Sequence, residues 1–298
     1  MKKITYLLFL LILLGCDKSA SNMSFDADQA YTFLTEQCDL GPRNPGSEAI
    51  MLVRDYIKNN LEQCGAEVKT QDFSVDDSTT TYYGTNIVGS FYPRNPKRLL
   101  IGAHYDTRPW ADKDKDEKNH DKPIMGANDG ASGVAVLLEL ASILADNQPK
   151  QYGVDLVFFD LEDIGKYNDS ESWSNGAQYY AKNMLTDKPE YVIVVDMIGD
   201  DDLHIPMEYY SYHSAPELLK KLVDFAEARG FDQFSRQVGQ PIVDDHLPFL
   251  KEGLKAIDFI DFDYTYWHTM YDTPDKCSPK SLKAVGQTLI DFIYEKKK

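Results

Sequence analysis

From Arg98 onward the chain alternates short, almost wholly apolar runs with longer periodic ones, and no other feature restricts the possible folds as much. "RLLIGAHYD", "VDLVFFDLE", "EYVIVVDMIG" and "AIDFIDF" are too short for ordinary helices and lack a polar face, as strands buried on both sides must. Between and after them, "GASGVAVLLELASILADN", "WSNGAQYYAKNML", "APELLKKLVDFAEARG" and "SLKAVGQTLIDFIYEKK" repeat apolar residues at helical spacing. Strand then helix, repeated, implies a mainly parallel sheet covered on both faces. Ahead of this region "DADQAYTFLTEQC" and "EAIMLVRDYIKNNLEQCG" read as helices, the second capped by Ser47 and ended by Gly65. "EVKTQDFSV" and "TYYGTNIVGSFYP" predict half-buried strands at an antiparallel edge. No repeat or linker divides the sequence. It reads as one α/β domain over residues 26–298, a mixed, mostly parallel central sheet flanked by helices.

The N-terminal "MKKITYLLFLLILLGC" sets two lysines before an apolar stretch too short for an ordinary membrane span. Its end, Leu13-Leu14-Gly15-Cys16, resembles a bacterial lipobox. That resemblance implies a signal peptide over residues 1–15, a lipidated Cys16 and a polar tether over 16–25. The folded part is then expected outside the cytoplasm, lipid-anchored on a periplasm-facing membrane or the cell surface of a bacterium. A net charge of −17, with no basic run in the body of the chain, excludes a phosphate-tracking surface and hence nucleic acid as a partner. A monomer is expected. Cys38, Cys64 and Cys277 remain after Cys16; an odd count leaves at least one thiol unpaired, and no bridge is assigned.

Potential ligands and proton carriers collect where the buried strands end: His104 and Asp106, Glu162 and Asp163, Asp196, and His268 in the loop after "AIDFIDF". Asn128-Asp129-Gly130 stands just before a helix, where Asp129 taken singly reads as a cap. Asp196 inside an apolar run is costly unless a cation or donors compensate it. Ligands of an α/β sheet gather at the carboxyl ends of its strands. Taken together, these groups suit a zinc site, which takes about three His or carboxylate ligands and keeps one position open.

"GAHYDT", "GANDGASGVAVLLELA", "DLED", "VDMIGD", "DDHLPFLKEG" and "YWHTMYDT" resemble, in order and spacing over roughly residues 30–295, the zinc aminopeptidase-like (M28-type) exopeptidases. More closely they resemble the glutaminyl cyclase branch, which converts N-terminal glutamine of peptides and proteins to pyroglutamate with release of ammonia. The resemblance implies a zinc aminopeptidase-like fold and one Zn2+ per chain held by Asp129, Asp163 and His268. It makes Glu162 the general acid and base, and Asp196 and Asp244 the acids that bind the substrate amine. Trp267 becomes a wall of the glutamine pocket. His104 falls on a ligand position of the second metal in two-zinc aminopeptidases, left vestigial in cyclases, with Asp106 orienting it. The chemistry agrees: the substrate's own amine attacks its γ-amide, so no enzyme nucleophile is needed, and one carboxylate can take the amine proton and pass it to the departing ammonia.

The sequence also departs from the family pattern. Asp163 stands where many members carry Glu, one methylene longer, so backbone or metal must shift to compensate. Asp258 replaces a pocket histidine of the animal cyclases and adds like charge near Asp196 and Asp244, favouring a shared proton. Asp160 is given only structural support, facing the same side as Glu162 if the strand continues. The polar stretch 107–123 is expected to loop near the pocket mouth, "GDDDLH" to be a solvated turn, and His213 and His246 are unassigned. The competing readings are a two-zinc aminopeptidase, for which all five dimetal positions are present, and a binding lipoprotein without catalysis, which the retention of Glu162 and every ligand disfavours.

Overall fold

The structure is a computed structural model describing residues 23–295. The expected signal peptide, Cys16 with its expected lipidation, and most of the expected tether lie outside the described residues.

Six strands form the main sheet. β1 (Glu67–Asp77) and β2 (Thr80–Phe91) pair antiparallel along their whole lengths, as their alternation predicts. β2 lies antiparallel to β4 (Gly153–Phe159), and β4, β3 (Arg98–His104), β5 (Tyr191–Asp196) and β8 (Ala256–Ile260) then run parallel, giving the order β1-β2-β4-β3-β5-β8.

The parallel strands read as unbroken apolar runs because alternate residues enter different cores. Leu99, Ile101 and Ala103 of β3, Leu156 and Phe158 of β4, and Ile193 and Val195 of β5 face a core shared with α1 (Ala27–Asp39), α2 (Glu48–Gln63), α3 (Ala131–Asp146), α6 (Pro216–Arg229) and α8 (Pro279–Ile293). Leu100, Val157, Phe159, Val192 and Val194 face a smaller core under α4 (Asn175–Lys182) and α7 (His246–Lys251). Each such side chain contributes about 1.5–3 kcal/mol of burial, whichever face it serves.

Helix α3 lies unusually close to the sheet. A Cβ on Gly133 would come within 2.5 Å of the Val195 carbonyl oxygen and 2.8 Å of the Ala103 Cβ. The glycine lets the start of α3, and the turn before it, sit directly over the ends of β3 and β5.

Four elements are not legible in the sequence: α5 (Tyr209–Ser214), α7, and the strands β6 (Ile205–Met207) and β7 (Phe234–Val238) of a two-stranded parallel sheet. Each spans only three to six residues, too few to show a period. Residues 199–204 form a turn with Asp201 and Asp202 exposed, as expected. Cys38, Cys64 and Cys277 are free thiols. Among the described residues no helix is long and apolar enough to cross a membrane.

Candidate active site

The carboxyl ends of the parallel strands deliver the chemistry. β3 ends in His104 and β5 in Asp196, while β4 stops at Phe159 and releases Asp160, Leu161, Glu162 and Asp163 as a turn. Leu161 (φ 55°), Ser174 (56°), Met197 (46°) and His268 (56°) hold left-handed backbone around this rim; among the described residues Tyr92 is the only other non-glycine to do so. Such conformations cost about 1–3 kcal/mol each, so surrounding packing must enforce them. They redirect the chain just where side chains have to converge.

The left-handed Leu161 also corrects the expectation for Asp160. The strand does not continue through it, so Asp160 and Glu162 do not share a strand face. The buried Asp160 carboxylate instead accepts from Tyr105 Oη at 2.6 Å and Thr85 N–H at 2.8 Å and pairs with Arg54 at 2.5 Å, a structural role.

Asp129 is not a helix cap. The α3 N-cap is Gly130 (φ 98°), with no side-chain cap bond, and Asp129 is buried between two histidines. Its Oδ1 lies 3.1 Å from His104 Nε2 and its Oδ2 3.5 Å from His268 Nε2. Asp196 Oδ1 completes one side at 3.0 Å from His104 Nε2, and Asp163 Oδ1 the other at 3.1 Å from His268 Nε2. Two sets of potential ligands, Asp129–Asp163–His268 and His104–Asp129–Asp196, therefore share one carboxylate. Asp129 Oδ2 and Asp163 Oδ2 are buried acceptors with no hydrogen-bond partner, and a cation satisfies both. Two carboxylates, one imidazole and orphaned acceptors fit zinc. The short Asp163 arm reaches the group from its turn.

Two other buried carboxylates hold the ligand-bearing turns by their backbones. Asp106 accepts from the N–H groups of Glu162 (3.1 Å) and Asp163 (3.2 Å), and its contact to His104 Nδ1, at 3.6 Å, is the longer one. Asp272 does the same for Asn128 (2.8 Å) and Asp129 (3.1 Å), and accepts from Tyr264 Oη at 2.8 Å. Asp272 lies in the quoted "YWHTMYDT" without an assigned role; its position four residues after His268 is the only sequence signal it offers.

Glu162 faces a cavity of about 240 Å3, walled by Trp267, Phe262, Ile242, Ile260, Tyr167 and Trp173, with Asp129, Asp196, Asp244 and His268 at its floor and sides. Burial, foremost, holds its carboxyl well above the ordinary range; Asp163, Asp245 and Asp244 add to this and His104 opposes it. Burial likewise pushes Asp196 up to about 7, against His104 and with Asp244. Burial alone would lower His104, but Asp196, Asp106 and Asp129 raise it well above its usual value. His268 is raised in the same way, with Asp163 the foremost partner.

Asp244 adjoins Asp258 and His246, a third cluster able to hold a cation, all three fully buried or nearly so. Burial, foremost, and the neighbouring Asp244 push the Asp258 carboxyl well above the carboxylate range, the direction expected of like charges sharing a proton. His246 lies 3.3 Å from Glu208 and 3.5 Å from Asp258. Glu208, unmarked in the sequence, accepts from the N–H groups of Tyr210, Ser211 and Ile242 and so fastens the pocket loop carrying Ile242.

Residues 86–293 match Peptidase family M28. The fold aligns with the glutaminyl cyclase of Bacteroides thetaiotaomicron bound to N-acetylhistamine, with a TM-score of 0.89 and 38% identity over 92% of this chain and 99% of that one. A leucine aminopeptidase precursor from the same organism aligns equally well, at 0.89 and 38% over the same shares. The glutaminyl-peptide cyclotransferase of Gloydius blomhoffii is 26% identical over 87% of this chain and 80% of its own.

Proposed function

The chain belongs to peptidase family M28 and is a glutaminyl cyclase; from that premise we propose how its residues divide the work. One zinc is held by Asp129, Asp163 and His268, and Glu162 carries protons beside it. Asp196 and Asp244 bind the substrate's α-amine, and Trp267 closes the pocket around an N-terminal glutamine. The observation that carries the reading is the position of Glu162. Its carboxyl enters the cavity from the turn that also carries ligand Asp163, in buried surroundings that hold its proton affinity well above the ordinary carboxylate range.

Held by Asp129, Asp163 and His268, zinc would supply positive charge to a polarising γ-amide carbonyl. The α-amine nitrogen forms a bond to Cδ, the bond from Cδ to the amide nitrogen breaks, and ammonia leaves. Glu162 takes one proton from the amine and returns it to the departing nitrogen, so it ends as it began. Ser174 Oγ, 3.5 Å from Glu162 Oε1, and Ser174 N–H, 3.1 Å from the Glu162 carbonyl, keep the carboxyl on its path. Asp244, with Asp196 beside it, offers the amine negative charge. Trp267, Phe262, Ile242 and Ile260 fold the flexible glutamine side chain back toward its own amine and keep out water, which would otherwise hydrolyse the amide.

The count of one zinc rests on the other half of the site. His104 Nε2, 3.0 Å from Asp196 and 3.1 Å from Asp129, is assigned to orienting those carboxylates in place of holding a second ion, as the resemblance to the cyclases implies. The two-zinc aminopeptidase is the second reading, favoured by the shared Asp129, which lies between two complete ligand sets. We further place the enzyme outside the cytoplasm, anchored through lipidated Cys16 after cleavage at residue 15, on the strength of "LLGC" alone, with residues 26–298 as the catalytic domain.

Incubating the zinc-loaded protein with a Gln-initiated peptide and following its mass separates the readings. Loss of ammonia from an intact chain is the expected result; loss of the whole first residue means an aminopeptidase, and a metal count near two per chain counts against the single zinc. Glu162→Gln is expected to abolish turnover with zinc still bound. Near-normal kcat in that variant would refute the proton-carrying role.

A further inference from the structure

His268 turns one ring nitrogen toward the ligand set and the other away from it. Nε2 lies 3.1 Å from Asp163 and 3.5 Å from Asp129, while Nδ1 is 2.9 Å from the Tyr167 hydroxyl oxygen. A neutral imidazole carries one proton, so Nε2 offers a lone pair to a metal only when Nδ1 holds that proton. Whatever accepts Nδ1–H therefore selects the metal-binding tautomer. The Tyr167 oxygen is placed as that acceptor, and its own proton can be donated to Asp112 Oδ1, 3.5 Å away.

Asp112 is gripped from behind by Arg108. Nε donates to Oδ1 at 3.0 Å and Nη2 to Oδ2 at 2.7 Å, a bidentate pair. The same guanidinium turns back to the other ligand. Its Nη1 donates to the carbonyl oxygens of Asp163 (2.9 Å) and Gly165 (3.2 Å) and lies 3.5 Å from Asp163 Oδ1. Trp110, Tyr167 and Trp173 pack around it, with ring centroids 5.3, 5.4 and 4.8 Å from its central carbon. One buried cation thus connects the backing of His268 to the backbone of Asp163.

We propose that Tyr167, Asp112 and Arg108 are positioning residues that set the affinity of the zinc site, by fixing the His268 tautomer and its spacing from Asp163. None of the three is itself a ligand. The proposal rests on the reading that Asp129, Asp163 and His268 hold the ion. The 107–123 stretch, expected at the pocket mouth, supplies none of the cavity's lining residues, and Arg108 and Asp112 within it back a metal ligand instead.

The test is the zinc dissociation constant, measured by competition with a chromogenic chelator, for the parent, Tyr167→Phe, Asp112→Asn and Arg108→Lys, together with thermal unfolding of each metal-free protein. Tyr167→Phe and Asp112→Asn are expected to bind zinc about 10–100-fold more weakly. Arg108→Lys keeps the charge but not the fork, and is expected to fall in the same range. Tyr167 is half exposed, so its variant is expected to fold and melt like the parent while still losing affinity, a split that general destabilisation does not produce. Parental zinc affinity in folded Tyr167→Phe and Asp112→Asn would overturn the proposal. Weakened zinc binding with no cyclisation by the parent would leave it standing and remove the cyclase mechanism instead.

Discussion

Substituting Asp106 by asparagine takes one acceptor from the turn that carries both the proton carrier and a metal ligand, and the cost follows from its bonds. Asp106 is fully buried, with Oδ1 accepting from Glu162 N–H at 3.1 Å and Oδ2 from Asp163 N–H at 3.2 Å. Asparagine keeps the shape and one of the two acceptors. With its oxygen toward Glu162, its NH2 faces the Asp163 N–H, donor against donor. A hydrogen bond to a charged group, about 1.5–3 kcal/mol, is lost with its donor left buried, while the neutral amide is easier to desolvate and offsets part of this. The expected net loss is about 2 kcal/mol. At about 2–4 °C per kcal/mol for a domain of this order of size, the metal-free protein should melt about 4–8 °C lower. Because the freed N–H belongs to Asp163, zinc affinity should also fall, about tenfold or more. Thermal unfolding by circular dichroism, repeated across a zinc titration, measures both. If metal-free Asp106→Asn melts with the parent and binds zinc equally well, the turn is not held through its backbone and the geometry has been misjudged.

Removing zinc by chelation should lower the melting temperature reversibly, since a ligand at about 100 times its Kd adds about 2.7 kcal/mol to the folded state; an unchanged midpoint would speak against a structural share for the ion. Glu208→Gln should raise KM several-fold with a smaller change in kcat, because Glu208 secures the loop carrying Ile242; steady-state kinetics showing a fall in kcat alone would contradict this. Glu139 is pushed up to about 7, chiefly by burial, against about 4.3 in an unfolded chain, so its contribution is most favourable below about pH 4.3 and is lost as pH rises through about 7. Glu139→Gln should therefore stabilise the protein at about pH 8, on the order of 2–3 kcal/mol, with the gain shrinking toward about pH 4; a pH-independent effect in denaturant titrations would refute the assignment.

The parallel sheet was legible because its strands are buried on both faces, and burial on both faces leaves an apolar run that no solvent-facing residue interrupts. The rim of acids was legible for the same reason: His104 and Asp196 are costly at the ends of such runs unless they serve the site. What the sequence did not show is how these groups are held. Asp272 and Glu208 act on backbone N–H groups, an interaction that leaves no side-chain signature in its partners. Arg108 and Asp112 lie in a stretch of mixed charge that reads as solvated loop, yet the guanidinium is buried under three rings. Asp160 has the supporting role expected of it, but the strand face it was expected to share with Glu162 is lost for a local reason. Alternation assumes a continuing strand, and the left-handed Leu161 ends it.

The twin grips of Asp106 and Asp272 have a consequence for how such a site can change over time. Each holds a turn by two successive amide protons, which every residue except proline provides, so the socket is indifferent to which side chain the turn presents. A glutamate at position 163, or the aspartate found there, would hang from the same fixed point and differ only in reach. Exchange of ligands can then proceed one residue at a time, with metal preference adjusted by arm length while the frame stays put. The Asp163 arm, hung from the Asp106 carboxylate by its own N–H at 3.2 Å, brings its Oδ1 to 3.1 Å from His268 Nε2.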